Sequence, residues 1–342
     1  MPDGGRRAFI GSFTAAGGPG IVTAAVAGDS GALTVLSTSG AVPDPSCLAL
    51  APDGRTLYAV SETVDGAVYA HRVDGDKPEQ AGPRVPVGSG PTHLGLHDGH
   101  LLTADYGSGS VTAVPVRADG TLAPAASGVL RHTGSGPHTP RQQRPHAHQV
   151  QPDPSGRWAV SVDLGTDSVR VCALDGGRPV LHRETALRPG SGPRHLAFHP
   201  RAPYAYVVNE LSPTVTVCRW DAAAGSLRPL AETAVLPGAP AGDAYPSGIA
   251  VSPDGRRAWI ATRGDDVVST FAVEEGGAAL RLLGTVSCGG RWPRALTCEG
   301  GRLYVANERS GDVTWFALDP DGGLPRRVGS VRVTAASCVV FG

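Results

Sequence analysis

Residues 45–62 read Pro-Ser-Cys-Leu-Ala-Leu-Ala-Pro-Asp-Gly-Arg-Thr-Leu-Tyr-Ala-Val-Ser-Glu, and this stretch decides the fold. A short apolar run, 47–51, follows the first proline. It meets Pro52-Asp53-Gly54, where proline presets φ and glycine accepts positive φ, as a tight turn requires. Residues 56–60 then alternate and include β-branched types, the pattern of a second strand, and the run closes on the polar pair Ser61-Glu62. The same Pro-x-x-apolar step recurs at Pro91-Thr92-His93-Leu94, Pro193-Arg194-His195-Leu196, Pro246-Ser247-Gly248-Ile249 and Pro293-Arg294-Ala295-Leu296. A further copy, Pro145-His146-Ala147-His148, keeps the proline but places its apolar residue later, at Val150. Successive prolines stand 46, 54, 48, 53 and 47 residues apart. That is the length of one four-stranded propeller blade. Turns rich in Gly, Ser and Asp lead to third strands such as 110–116 and 312–318. No helix-length run with 3.6 periodicity interrupts the pattern.

Six repeats leave two ends. The N-terminal segment supplies strands near 8–13, 20–26 and 33–38, and the C-terminal segment supplies one near 337–341, with Ala335 where the proline would stand. Pairing the ends makes a seventh blade and removes the exposed sheet edges. The expectation is an all-β, seven-bladed β-propeller over residues 1–342 as one domain; six blades with two loose ends is the alternative.

The net charge of −1 argues against nucleic acid as a partner, because neutralising phosphates needs a basic field. No apolar run is long enough to cross a bilayer, so no membrane partner is expected. Residues 1–7 are polar and lack the apolar core of a secretory signal, which predicts a cytoplasmic location. Six cysteines stand singly without CxxC spacing, a pattern of small hydrophobes rather than of zinc ligands or disulfides. No cofactor is expected; oligomeric state is not readable.

The second strand of each repeat runs back beside the first. Residues just after each proline therefore share a face with the polar pairs that close the second strands, and the innermost strands line the channel. The ring so formed holds His93, His146, His148, Arg194, His195, Ser247 and Arg294 after the prolines. At the strand ends it holds Ser61-Glu62, Asp105-Tyr106, Asp163-Leu164, Asn209-Glu210, Thr262-Arg263 and Asn307-Glu308. The opposite ends carry generic Pro-Asp-Gly turns, and this one-sidedness points to a site. Polar strand ends also serve to bond neighbouring blades, so a structural role competes at each acidic position. His71, His97, His100, His182 and His199 fall outside the ring and are expected at surfaces or turns. His132 and His138 belong to a Gly/Pro-rich region around 133–144 that either covers the mouth or is a plain surface loop. His146 and His148, two apart on a strand, face the same way. They could chelate a metal, but no third ligand is identifiable. Acid–base or substrate-binding roles are the preferred reading, and no metal is expected.

The combination of Arg144-Pro145-His146-Ala147-His148-Gln149-Val150, Asp163-Leu164-Gly165, Gly192-Pro193-Arg194-His195-Leu196, Val208-Asn209-Glu210-Leu211 and Arg263-Gly264 resembles the bacterial 6-phosphogluconolactonase family of seven-bladed propellers. That fold family includes 3-carboxy-cis,cis-muconate cyclase. The resemblance spans nearly the whole chain. It implies a catalytic set of His148, Arg194, Glu210 and Arg263; of the same ring, Glu62, His93, Tyr106, His146, Asp163, His195, Arg294 and Glu308 are the expected substrate-binding residues. Arginines clamp a carboxylate or phosphate and stabilise an oxyanion, and a glutamate or histidine moves a proton. One stretch departs from the family: Gly248-Ile249-Ala250 stands where it usually has Glu-Ile-His. The implied activity is hydrolysis of a small, sugar-type lactone. A cyclase or isomerase of specialised metabolism and a non-catalytic binding propeller are the alternatives.

Overall fold

The structure, a computed structural model, describes residues 5–240, 242–319 and 322–342. Residues 1–4, part of the stretch behind the expected cytoplasmic location, lie outside the described residues. Seven antiparallel sheets form the seven blades. Blade 1 is assembled from both ends of the chain: Ala336–Phe341 is innermost, followed outward by Arg7–Ser12, Ile21–Val26 and Leu33–Ser39. The closing register runs from Ala8 opposite Phe341 to Ser12 opposite Ala336. The seven-bladed expectation is therefore correct, and the six-bladed alternative is not.

The innermost strands of blades 2 to 7 are Leu48–Leu50, Pro91–His97, Ala147–Pro152, Pro193–Phe198, Tyr245–Val251 and Pro293–Glu299. Those of blades 3, 5, 6 and 7 begin at or next to a repeat proline, and that of blade 2 begins three residues after Pro45; the register departs in blade 4. There Ala147, not Pro145, lies opposite the strand-end Asp163, as Pro193 lies opposite Asn209 and Pro293 opposite Asn307. The repeat position in blade 4 is thus two residues later than the proline suggests. The surplus length belongs to the loop that precedes it.

Each apolar core lies between two adjacent blades. Trp158, Val160 and Val162 of blade 4 pack on Ala205, Val207 and Cys218 of blade 5, and Tyr206 and Val208 of blade 5 pack on Ala258 and Ile260 of blade 6. A central strand alternates its side chains between two faces, and here both faces are covered, which explains the nearly continuous apolar runs. The cysteines are all free; Cys172, Cys218, Cys288 and Cys338 are buried among these cores. Among the described residues no helix is long and apolar enough to cross a membrane.

Candidate active site at the channel mouth

Two local devices build the site. The first is a one-residue β-bulge just inside the innermost strands of blades 3, 4, 5 and 7. Between Pro91 and His93, Ala147 and Gln149, Pro193 and His195, and Pro293 and Ala295, one residue has no partner across the ladder. Those residues are Thr92, His148, Arg194 and Arg294. A bulge leaves its extra residue unpaired and re-aims it, and all four line the mouth cavity.

The second device is the polar pair at the end of each second strand. Adjacent residues on a strand point to opposite sides, so the members of a pair part company. The first member turns inward and braces the blade. Asp105 accepts from the hydroxyls of Thr103, Ser110 and Thr112, and Asn209 Nδ2 donates to Thr214 and Thr216. The second member turns to the mouth, where Glu62, Tyr106, Glu210 and Arg263 line the cavity.

This rule corrects one expectation. Asp163 is a first member, not a substrate-binding residue. It is fully buried; Oδ1 accepts from the backbone N–H of His146 and Gly165, and Oδ2 from His132 Nδ1 at 2.6 Å and Arg170 Nη1 at 3.1 Å. His132, just past the strand Gly128–Arg131, is accordingly a buried brace rather than part of a surface loop. Leu164, the pair partner of Asp163, is apolar and fully buried.

The cavity of about 210 Å³ is lined by Glu62, Thr92, Tyr106, Arg141, His148, Arg194, Glu210, Arg263 and Arg294. Its centre is the Glu210 carboxylate, 4% exposed. Arg141 Nη2 donates to Oε1 at 2.6 Å, while Arg263 Nη2 lies 2.7 Å from Oε2. Arg194 Nε is 3.0 Å from the same Oε2, but its N–H is not aimed at that oxygen. Arg194 is held instead through Nη1, which donates to Ser247 O at 2.8 Å and His195 Nε2 at 3.2 Å. Burial alone would raise the Glu210 pKa; Arg263, Arg194 and Arg141 outweigh it and hold the group down at about 2. On the other side, Arg294 forks onto both oxygens of Glu62 at 3.2 and 3.0 Å and reaches Glu308 at 3.3 Å. Its guanidinium lies over the Phe13 ring.

The histidines separate into layers. His148 lines the cavity with its Nδ1 buried and unpartnered. Its ring meets His195 at 5.2 Å, which meets His93 at 5.6 Å deeper in the channel. Burial lowers all three, and the Arg194 charge adds to it, so each imidazole is neutral near pH 7. His146 lies behind the wall: it stacks on Tyr106 at 4.2 Å and its Nδ1 meets Tyr106 O at 2.8 Å. The bulge at His148 breaks the strict alternation on which a chelating pair would depend. Among the described residues no group of three or more His, Cys, Asp or Glu is arranged to hold a metal ion.

Two residues escaped the sequence reading. Thr92 was passed over because it is neither charged nor aromatic. Arg141 comes from the loop at 133–144, outside any strand, and only the position of that loop before His146 hinted at it. The region missing the family's Glu-Ile-His has closed up: a Cβ on Gly248 would sit 3.0 Å from Leu296 N and 3.3 Å from Ala295 Cα.

His71 and His97, expected at surfaces or turns, are buried, and His199 is buried within a turn. Both ring nitrogens of His71 lack partners, and burial pushes its pKa down to about 4, as it does that of His93. In the unfolded chain each imidazole titrates near about 6.5. Below that value the unfolded chain takes up protons that the folded chain refuses, so stability present above pH 6.5 is lost as the pH falls towards 4. Each group then costs about 2 kcal/mol at pH 5. Urea unfolding at pH 7.5 and 5.0 should show a loss of at least about 4 kcal/mol, the share of this pair, and His71→Leu should reduce that loss by about 2 kcal/mol. Equal stability at the two pH values would contradict it.

The family model for a lactonase with a seven-bladed β-propeller matches residues 7–341. The 6-phosphogluconolactonase of Bacillus subtilis (strain 168) is 32% identical over 97% of each chain. That of Pectobacterium carotovorum is 31% identical over 86% of this chain and 87% of its own length. Among solved structures, the periplasmic gluconolactonase of Pseudomonas aeruginosa superposes with a TM-score of 0.92 at 32% identity, covering 98% of both chains. Sequence, blade closure and the arginine-lined mouth converge: this chain belongs to the seven-bladed β-propeller lactonase family.

Proposed function

We propose that the mouth hydrolyses a sugar-type lactone, with His148 as proton carrier and Arg194 and Arg263 as the oxyanion site. The observation that carries this reading is the convergence of four guanidinium groups and one neutral imidazole on a single small cavity. Water attacks the lactone carbonyl carbon and gives its proton to the cavity-side nitrogen of His148. Negative charge growing on the carbonyl oxygen is met by Arg263, held by Glu210, and by Arg194, held by Ser247 O and paired in charge with Glu210. The ring C–O bond then breaks, His148 returns the proton to the departing alkoxide, and the product acid ionises to solvent. Glu210, held at about 2, is too weak a base for the first step; its part is to fix the arginines. The neighbours Glu62, Tyr106, Arg294 and Glu308 face the hydroxyl groups of the sugar, and His93 and His195 back the channel floor.

A lactone panel in a pH-stat tests the reading. Acid release from sugar 1,5-lactones is expected well above the buffer rate. Ring closure of an unsaturated diacid without lactone opening would favour a cyclase, and saturable binding with no chemistry would favour a binding propeller.

A further inference from the structure

We propose that Arg141 determines specificity: it selects lactones that carry an additional anionic group, phosphate or carboxylate, over neutral ones. The inference rests on the lactonase reading above and deepens it.

The charges at the mouth are not evenly spread. On one side three guanidinium groups, Arg141, Arg194 and Arg263, share the single carboxylate of Glu210. On the other, Arg294 is shared by two carboxylates, Glu62 and Glu308. The first side carries surplus positive charge and the second surplus negative charge. A ligand with an anion at one end and hydroxyl groups at the other fits that polarity.

Within the positive side, Arg141 is the guanidinium most open to a second anion beyond the reacting carbonyl. Arg194 spends Nη1 on Ser247 O and His195, and Arg263 Nε donates to Tyr245 O at 3.2 Å. Among the described residues the Arg141 guanidinium meets Glu210 and, at 3.4 Å, Tyr106 Oη. Its side chain is 35% exposed, against 3% and 8% for the other two. A planar guanidinium with unused donors at a cavity rim suits bidentate capture of phosphate or carboxylate.

Its placement is built. The next residue, Gln142, is fully buried and fastens the loop to blade 4. Gln142 Nε2 donates to Leu164 O at 2.8 Å and Asp167 Oδ1 at 2.7 Å, and Oε1 accepts from His138 N at 2.9 Å. The loop is thus buckled at one residue so that its neighbour spans the mouth to Glu210.

The test compares wild type, Arg141→Ala, Arg141→Lys and Gln142→Leu. Calorimetry measures binding of 6-phosphogluconate, glucarate and gluconate; the pH-stat measures hydrolysis of the phosphorylated and neutral glucono-1,5-lactones. In Arg141→Ala, 6-phosphogluconate, glucarate or both should bind at least tenfold more weakly, while gluconate weakens less than threefold. The ratio of kcat/KM for the phosphorylated over the neutral lactone should fall by a similar factor. Arg141→Lys should retain part of the discrimination, and Gln142→Leu should lose part of it with the charge still present. Loss for 6-phosphogluconate alone assigns a phosphate, and loss for glucarate alone a carboxylate. Equal shifts for all three acids, no shift, or a wild type that does not distinguish them would overturn the proposal. A wild type that shows the binding split but hydrolyses neither lactone would overturn the lactonase reading and leave Arg141 its role.

Discussion

Glu210→Gln is expected to lower kcat/KM for a sugar lactone about a thousandfold, the scale of losing an aligned oxyanion donor. It is also expected to destabilise the fold by about 3 kcal/mol, as when one partner of a buried ion pair is removed. Both effects come from the same atoms. Oε2 lies 2.7 Å from Arg263 Nη2 and 3.0 Å from Arg194 Nε, and Oε1 accepts from Arg141. A glutamine keeps the shape but brings no charge and turns an N–H₂ group towards one set of cations. Three guanidinium groups then face each other in a buried cavity, and the two buried ones must shift or recruit anions from solution. Arg194 and Arg263 lose the alignment on which the developing oxyanion depends. Arg141→Ala should be milder on stability, because its side chain is one-third exposed and screened charges contribute less. Steady-state kinetics with guanidinium unfolding would check both halves. Turnover within threefold of wild type at unchanged stability would show that Glu210 does not organise the site.

The fold was legible because a period near 50 leaves few alternatives and the turn chemistry is repeated. Pro52-Asp53-Gly54 and Pro253-Asp254-Gly255 read the same way without a structure. Closure by the two termini was legible too, since one end lacks an innermost strand and the other has a spare. The register in blade 4 was not, because Pro145 imitates the repeat proline while Ala147 occupies its place. Within the site, the face was readable but the direction of each side chain was not. Asp163 and Glu210 look alike as polar strand ends. They differ because Asp163 is the first member of its pair and Glu210 the second, and alternation sends them to opposite sides. Bulges leave no mark in composition, so the sequence could put His148, Arg194 and Arg294 on the mouth face but could not show that they turn into one cavity with Thr92. Arg141 was beyond reach for a different reason: a loop residue acquires its position from tertiary contacts, here those of Gln142.

His148→Asn is expected to lower kcat by about a hundredfold or more, the contribution of a positioned proton carrier, with little change in stability, because the ring makes no side-chain hydrogen bond at Nδ1. The pH profile gives a sharper signature. His148 acts in its neutral form, and burial together with Arg194, Arg294 and Arg263 holds its pKa well below the ordinary value. An ordinary imidazole would be half protonated at about 6.5 and almost fully so at pH 5. The lowered group takes up its proton only at lower pH, so the acid limb of kcat/KM should lie well below 6.5 rather than be centred there. Rates should be taken immediately after a jump from pH 7.5, ahead of the stability loss expected from His71 and His93. Arg294→Gln removes one of the repelling charges, so the acid limb should move upward towards the ordinary value. An acid limb near 6.5 in wild type, unmoved by Arg294→Gln, would assign the proton transfer to a solvent-exposed group and remove His148 from the chemistry.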